Sequence, residues 1–222
     1  MKRFLKNSFV DISAKGDSHI IDIFSGASGE KRITVQGKSH LAYLIVAKSS
    51  QLDLHVDMQG QDSVCQIFAI FVSDTAHVNA KILTYITSSS VKAETYVVSL
   101  LGEYGKISVD ADIDIKKGIR DVVAHLLEEN IVFGKNISIK SLPALSVASH
   151  DVQASHGAKI EKINQDKLFY MQSKGLSSNE AQKLVIDGYV NMILSHFEQF
   201  PEKELAVVRS FVAFDAIKKL KY

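Results

Sequence analysis

The sequence predicts a mainly β protein: a β-helix of short stacked strands, followed by a small helical domain at the C-terminal end. Three observations predict it. From His19 to Val147, runs of roughly 5–10 residues rich in Ile, Val, Thr and aromatics follow one another. The breaks between them are short and built from Ser, Gly, Asp and Asn, which fit tight corners better than long loops. Within Pro143 to Gly175 the apolar period lengthens from two to a helical one, which marks a change from sheet to helix. There is no exact repeat to count, so periodicity alone also leaves a β-sandwich open.

Taken in order, residues 1–18 read as a lead-in, with Lys15-Gly16-Asp17 as a turn. The β-helix core is expected over 19–164. Its runs are HIIDIF, RITVQG, LAYLIV, QLDLHVDM, CQIFAIFV, HVNAKILTYI, VKAETYVVSLL, KISVDADIDI, ENIVFG and ISIKSLPALSV. Residues 121–130, DVVAHLLEEN, suit a short helix or a strand. Pro143 is the one proline near these runs, so nearly every backbone N–H is free for a ladder. A helical domain is expected over 165–222. Asp166 to Ser173 forms a short helix closed by Gly175, a residue suited to a helix C-terminus. Ser177 with Glu180 makes a capping box that opens a long helix. Ala181, Leu184, Val185, Tyr189, Met192 and Ile193 line its expected apolar stripe. Pro201 opens a last helix, with Lys218 and Lys219 in its final turn, where cations complement the helix dipole.

The chain has 222 residues, 46% hydrophobic and 23% charged, as in an ordinary globular domain. A net charge of +1 gives no electrostatic case for nucleic acid or an anionic membrane. The basic start MKRFLKNSF lacks an apolar stretch behind it, and no run of 18 apolar residues occurs, so neither a signal peptide nor a spanning helix is expected. The single cysteine, Cys65, excludes an internal disulfide and a cysteine-rich metal site. A cytoplasmic protein is the expectation.

No phosphate loop, dinucleotide fingerprint, H-E-x-x-H or nucleophile elbow is present, so a binding or scaffold role is expected rather than an enzyme. Among eight histidines, His156 has the most open setting. It stands between Ser155 and Gly157, where an imidazole can reach a metal or cluster, or simply bond the backbone. His150 lies six residues earlier, on the same face if one strand runs unbroken. Cys65, within an apolar run, reads as a small buried hydrophobe. Glu128-Glu129 read as solvated charges. Asp110, Asp112 and Asp114 share one strand face. That row is the sole support for a polysaccharide-cleaving β-helix, and a wetted sheet face explains it more simply.

One stretch carries a family resemblance. It runs through Leu142-Pro143-Ala144-Leu145, Asp151-Val152, Ser155-His156-Gly157-Ala158, Leu168-Phe169-Tyr170 and Ser173-Lys174-Gly175-Leu176 to Glu180-Ala181. In this order it resembles the C-terminal core of the SufB/SufD family of iron–sulfur cluster assembly proteins. The resemblance implies a right-handed parallel β-helix ending in a small helical domain. It implies pairing through the β-helix, with a SufB-type subunit or a second copy, and docking of a SufC-type ATPase on the helices. The matching residues for that ATPase are Leu168, Phe169, Tyr170, Lys174, Gly175 and Glu180.

The S-H-G-A histidine of the family falls on His156 as a cluster-site residue. Three departures qualify the match. Lys174 replaces the family's arginine and loses its planar fork. Glu128 is nearest to the position where SufB-type members carry a cysteine. The chain is short, and the family's extra N-terminal domain has no counterpart in it. Gly157 is SufD-like. A short SufD-like scaffold subunit is therefore expected, holding no cluster tightly and taking part in a transient one only with a partner subunit. The alternative is a β-helical interaction module that has lost the cluster role.

Overall fold

The computed structural model describes residues 1–163 and 165–213. Thirteen strands follow one another: β1 (Lys2–Lys6), β2 (Ile12–Ala14), β3 (Asp17–Ser25), β4 (Ser28–Val35), β5 (His40–Lys48), β6 (Gln51–Met58), β7 (Ser63–Ser73), β8 (His77–Ile86), β9 (Val91–Leu101), β10 (Lys106–Ile115), β11 (Val122–Val132), β12 (Ser138–Val147) and β13 (Val152–Lys162). Odd strands pair only with odd ones, in the order β1-β3-β5-β7-β9-β11-β13. Even strands form a second sheet, β12-β10-β8-β6-β4-β2. Every pairing is parallel. Each coil thus adds one strand to each sheet. The chain is a parallel β-helix, not a sandwich, and 121–130 is strand rather than helix. The 1–18 segment already carries β1 and β2, which begin the two stacks; its strands are too short to announce themselves by alternation.

Side-chain alternation explains the burial of each sheet. On β6, Leu52, Leu54, Val56 and Met58 point into the space between the sheets, while Gln51, Asp53, His55 and Asp57 face outward. β5 is buried on both faces: Leu41, Tyr43, Ile45 and Ala47 point inward, and Ala42, Leu44 and Val46 point outward into a second cluster. The interior is apolar but for a few groups such as the Lys31–Asp22 pair, whose atoms meet at 2.5 Å near the Tyr43 hydroxyl.

Helices cover that outward face. They are α2 (Ser178–Leu194) and α3 (Glu202–Val212), with a 3-10 turn at Ser195–Phe197 between them, while α1 (Gln165–Ser173) seats Leu168 against Ile163 and Ala181 of α2. Ile186, Val190, Ile193, Leu194, Phe197, Phe200, Leu205, Val208 and Val212 pack on Ile21, Leu44, Phe68, Ile70 and Val98 of the odd-strand sheet. The helical part therefore shares a core with the β-helix. The inward stripe of α2 differs from the expected one. Ala181, Gln182, Ile186, Val190, Ile193 and Leu194 are buried, whereas Leu184 and Met192 are exposed. Apolar residues line more than one side of α2, and the position of the sheet selects which side is covered. The last helix is described only to Val212; Lys218 and Lys219 lie outside the described residues.

The capping box is formed: Glu180 N–H donates to Ser177 Oγ at 3.3 Å, and Ser177 N–H donates to the Glu180 carboxylate at 2.7 Å. Ser177→Ala is expected to lower the stability of the helical part by about 1 kcal/mol, the usual size of a lost cap. Urea denaturation followed by helical circular dichroism measures this.

Two corners show why the coils stack so closely. A Cβ on Gly60 would stand 1.9 Å from the Gly37 backbone nitrogen, and one on Gly134 would stand 2.2 Å from the Gly102 carbonyl oxygen. Only glycine permits backbone corners to touch at these points.

Candidate functional site

The β-helix ends at β12 and β13, where the chain turns into the helices. Among the described residues no strand pairs with the outer edge of either. Both strands are mostly half-buried or exposed, and Leu142, Val147 and Ile160 show large apolar side chains there. An uncovered parallel edge is a row of free backbone donors and acceptors.

His156 stands on β13, beside Leu126 of β11 in the ladder. Parallel partners face the same way, so His156 occupies the inward register of Leu126. Leu126 is buried; His156 is exposed, because no further coil covers it. It belongs to no set of three metal-ligating groups found among the described residues. It presents one exposed imidazole at this end. His150 does not join it: the residue lies in the bend before β13 begins at Val152. The chain turns between them, so a shared strand face does not arise.

Glu128 corrects the expectation of a solvated charge. It is 1% exposed, on the inward face of β11, paired with Ala158 two positions along β13 from His156. Ser141 of β12 donates its hydroxyl proton to Glu128 Oε2, and Asn130 donates to Ser141 Oγ at 3.2 Å and to the Lys159 carbonyl at 3.3 Å. Glu128 Oε1 is buried with no hydrogen-bond partner. Burial pushes its carboxyl up to about 7, with the Ser141 bond opposing the rise and Asp110 adding to it. The open end of the interior is thus plugged by a polar group of Glu128, Asn130 and Ser141. The sequence signal for this was the position of Glu128 in an alternating run, Leu126-Leu127-Glu128-Glu129-Asn130. Its even phase follows the buried Val122, Ala124 and Leu126. The adjacent Glu129 faces the other way and accepts from the Tyr96 hydroxyl at 2.6 Å.

Asp110, Asp112 and Asp114 alternate with the buried Ala111 and Ile113 and share the outward face of β10, as expected of a wetted sheet face. Burial raises the carboxyl of Asp112, its two neighbours add to the rise, and His156 is close enough to oppose a little of it. Cys65 points into the apolar interior, 1% exposed, and burial lifts its thiol to about 12. A thiol in that state is neither nucleophile nor ligand at neutral pH.

The helical candidates separate into two groups. Leu168 is buried against Ile163 and Ala181, so its role is to seat α1 rather than to meet another molecule. Glu180 is committed to the cap, and the Ser177 bonds hold its carboxyl below the ordinary range. Gly175 takes φ +96°, the left-handed conformation that closes α1. Phe169 and Tyr170, in contrast, are 72% and 63% exposed, and the Lys174 ammonium lies 5.5 Å from the Tyr170 ring centre. No helix among the described residues is long and apolar enough to cross a membrane.

Comparison with known proteins supplies the family. The model of the SufBD core domain, described as SUF system FeS cluster assembly, matches residues 27–189. An iron–sulfur cluster assembly SufBD family protein of Synechocystis sp. is 28% identical over 43% of this chain and 21% of that protein. Protein ABCI7, chloroplastic, of Arabidopsis thaliana is 22% identical over 90% of the chain and 41% of that protein. The iron–sulfur cluster assembly protein SufD of Escherichia coli is 24% identical over 40% of the chain and 21% of that protein. The matched segments span between 21% and 41% of the length of these relatives. With most of its β-helix and most of α2 inside the match, the chain belongs to the SufBD family of iron–sulfur cluster assembly proteins.

Proposed function

We propose that the chain is a SufD-like, non-catalytic scaffold subunit of a cytoplasmic iron–sulfur cluster assembly complex. The observation that carries this reading is His156, exposed on an uncovered β-helix edge and in no group of three ligating residues among the described ones. A SufB-type subunit, or a second copy, pairs with the β12 and β13 end and covers it. Its thiolates complete a transient cluster site to which His156 contributes one nitrogen. A SufC-type ATPase docks on Phe169, Tyr170 and Lys174. Because α2 and α3 share a core with the odd-strand sheet, movement of the docked ATPase is passed to the β-helix as a rigid push.

Co-purification of the chain with a SufC-type ATPase and a SufB-type partner tests this. The double variant Phe169→Ala/Tyr170→Ala is expected to lose the ATPase and keep the SufB-type partner. His156→Ala is expected to keep both and to deliver clusters poorly. Failure of the unaltered chain to form either complex rejects the scaffold reading. Normal cluster delivery by His156→Ala removes the histidine from the mechanism. The second reading, an interaction module without a cluster role, is favoured by Glu128 near the position of the SufB-type cysteine and by the inert Cys65. It predicts intact complexes and cluster delivery indifferent to His156.

A further inference from the structure

A second group of ligating side chains lies far from this end. Asp17 and His19 sit two apart on β3 and so face one way, and His40 is the ladder partner of Asp17 on β5. Their ligand atoms, one from each residue, all lie within 4.8 Å of one another. Asp17 Oδ1 is 3.4 Å from His40 Nδ1 and 3.9 Å from His19 Nδ1. Two ligands about 2.0–2.1 Å from a tetrahedral ion are about 3.4 Å apart. The Asp17–His40 pair already has that spacing, Asp17–His19 needs to close by about 0.5 Å, and the His19–His40 pair stands within 4.8 Å and closes with a small ring rotation. The two imidazole rings meet edge to face, with centres 5.7 Å apart.

The hydrogen bonds behind His40 fix which of its nitrogens is free. Glu94, ion-paired with Lys92 at 2.7 Å, accepts from Gln66 Nε2 at 2.7 Å. A carboxylate only accepts, so the Gln66 amide must present its NH2 group to Glu94 and its oxygen to His40. Gln66 Oε1 lies 3.1 Å from His40 Nε2, so that nitrogen carries the proton. Nδ1 is left as the lone pair, and it is the atom that faces Asp17. Metal-ligating histidines are oriented by a partner on their second nitrogen in the same way. His19 is mostly buried, its side chain 17% exposed, so its ring is held in place by its surroundings. Asp17 and His40 are open to solvent, 73% and 45% exposed, which gives an ion its way in. The nearby Met1 amine and Lys2 ammonium each donate to a backbone carbonyl, of Asp17 and Gln199.

We propose that Asp17, His19 and His40 form a binding site for a divalent transition metal of the zinc or ferrous type, with water in the remaining position. Two imidazoles and one carboxylate suit these ions rather than calcium or magnesium. The site clamps β3 to β5. It lies four to five strand spacings along the odd sheet from β13, about 19–24 Å at 4.8 Å per strand, and so is separate from His156.

Isothermal titration of the metal-free chain with Zn(II), and the visible spectrum with Co(II), test it. One equivalent is expected to bind saturably. His40→Ala is expected to weaken binding by 100-fold or more. Gln66→Leu removes no ligand, only the group that sets the His40 ring, and is expected to weaken binding about 10–100-fold. His156→Ala is expected to change nothing. No saturable binding below about 1 mM, equal binding by His40→Ala, or loss on His156→Ala instead would each overturn the site. Binding that is lost in His40→Ala but indifferent to Gln66→Leu overturns the positioning role of Gln66.

Discussion

Phe197→Ala is expected to release the helices from the sheet while leaving the β-helix wound. Phe197 is fully buried, edge-on to Phe68 at 5.8 Å and 6.2 Å from Phe200. It is among the largest side chains in the cluster that α2, α3 and the odd strands share. Emptying such a position costs about 3–5 kcal/mol, from lost burial plus the cavity left behind. The interior of the β-helix is a different cluster, with no residue of the helices in it. Loss of packing at Phe197 therefore falls on one layer. Hydrogen exchange is the measurement: amides of α2 and α3 lose protection, and those of β5 to β9 keep most of theirs. Uniform loss along the whole chain would show that the two layers unfold as one unit.

Glu128→Gln is expected to stabilise the protein at alkaline pH by about 3 kcal/mol and to flatten its pH dependence. In the folded chain the carboxyl is raised from 4.5 to about 7. Below the ordinary value it is protonated folded or unfolded, and its charge costs nothing. Between the two values the unfolded chain gives up the proton and the folded chain keeps it. Stability therefore falls as pH rises through this window and levels off above 7. A rise of that size is worth about 3 kcal/mol at 1.36 kcal/mol per unit. Glutamine keeps an acceptor for Ser141 and cannot ionise. Melting temperatures from pH 5 to pH 8 should decline for the unaltered protein and stay level for the variant. Parallel declines would mean that Glu128 titrates normally and that the interior is wetter at β11 than its burial indicates. An open end whose polar plug changes charge near neutral pH is also one whose readiness to be covered by a partner changes there.

Much of this architecture was legible from the residues. Period-two alternation set most of β3 to β12 to within a few residues, and β8, β9 and β10 to the residue. The Ser177–Glu180 cap and the Gly175 closure were equally plain, because each depends on groups within three or four residues of one another. The repeat was not legible, for two physical reasons. The step between stacked partners varies from 17 residues, Lys2 to His19, to 32, Lys106 to Ser138. The left-handed corner ahead of β3, β5, β7, β9 and β11 is filled in turn by Gly16, Lys38, Asp62, Ser90 and Asp121, four residue types in five corners. The backbone conformation recurs, and no single residue type marks it.

What the sequence by itself determined is the string of local elements from β3 to α2 and the family motifs around His156. The tertiary structure decided what covers each face. A strand states which of its residues point together; it does not state what stands opposite. The covering of β5 on both faces, the burial of Glu128, the exposure of His156 one strand further on, and the meeting of Asp17, His19, His40 and Gln66 depend on residues a full coil or more apart. Parallel stacking brings them to adjacent strands about 4.8 Å apart. Only the closed coil sets which residues are stacked there.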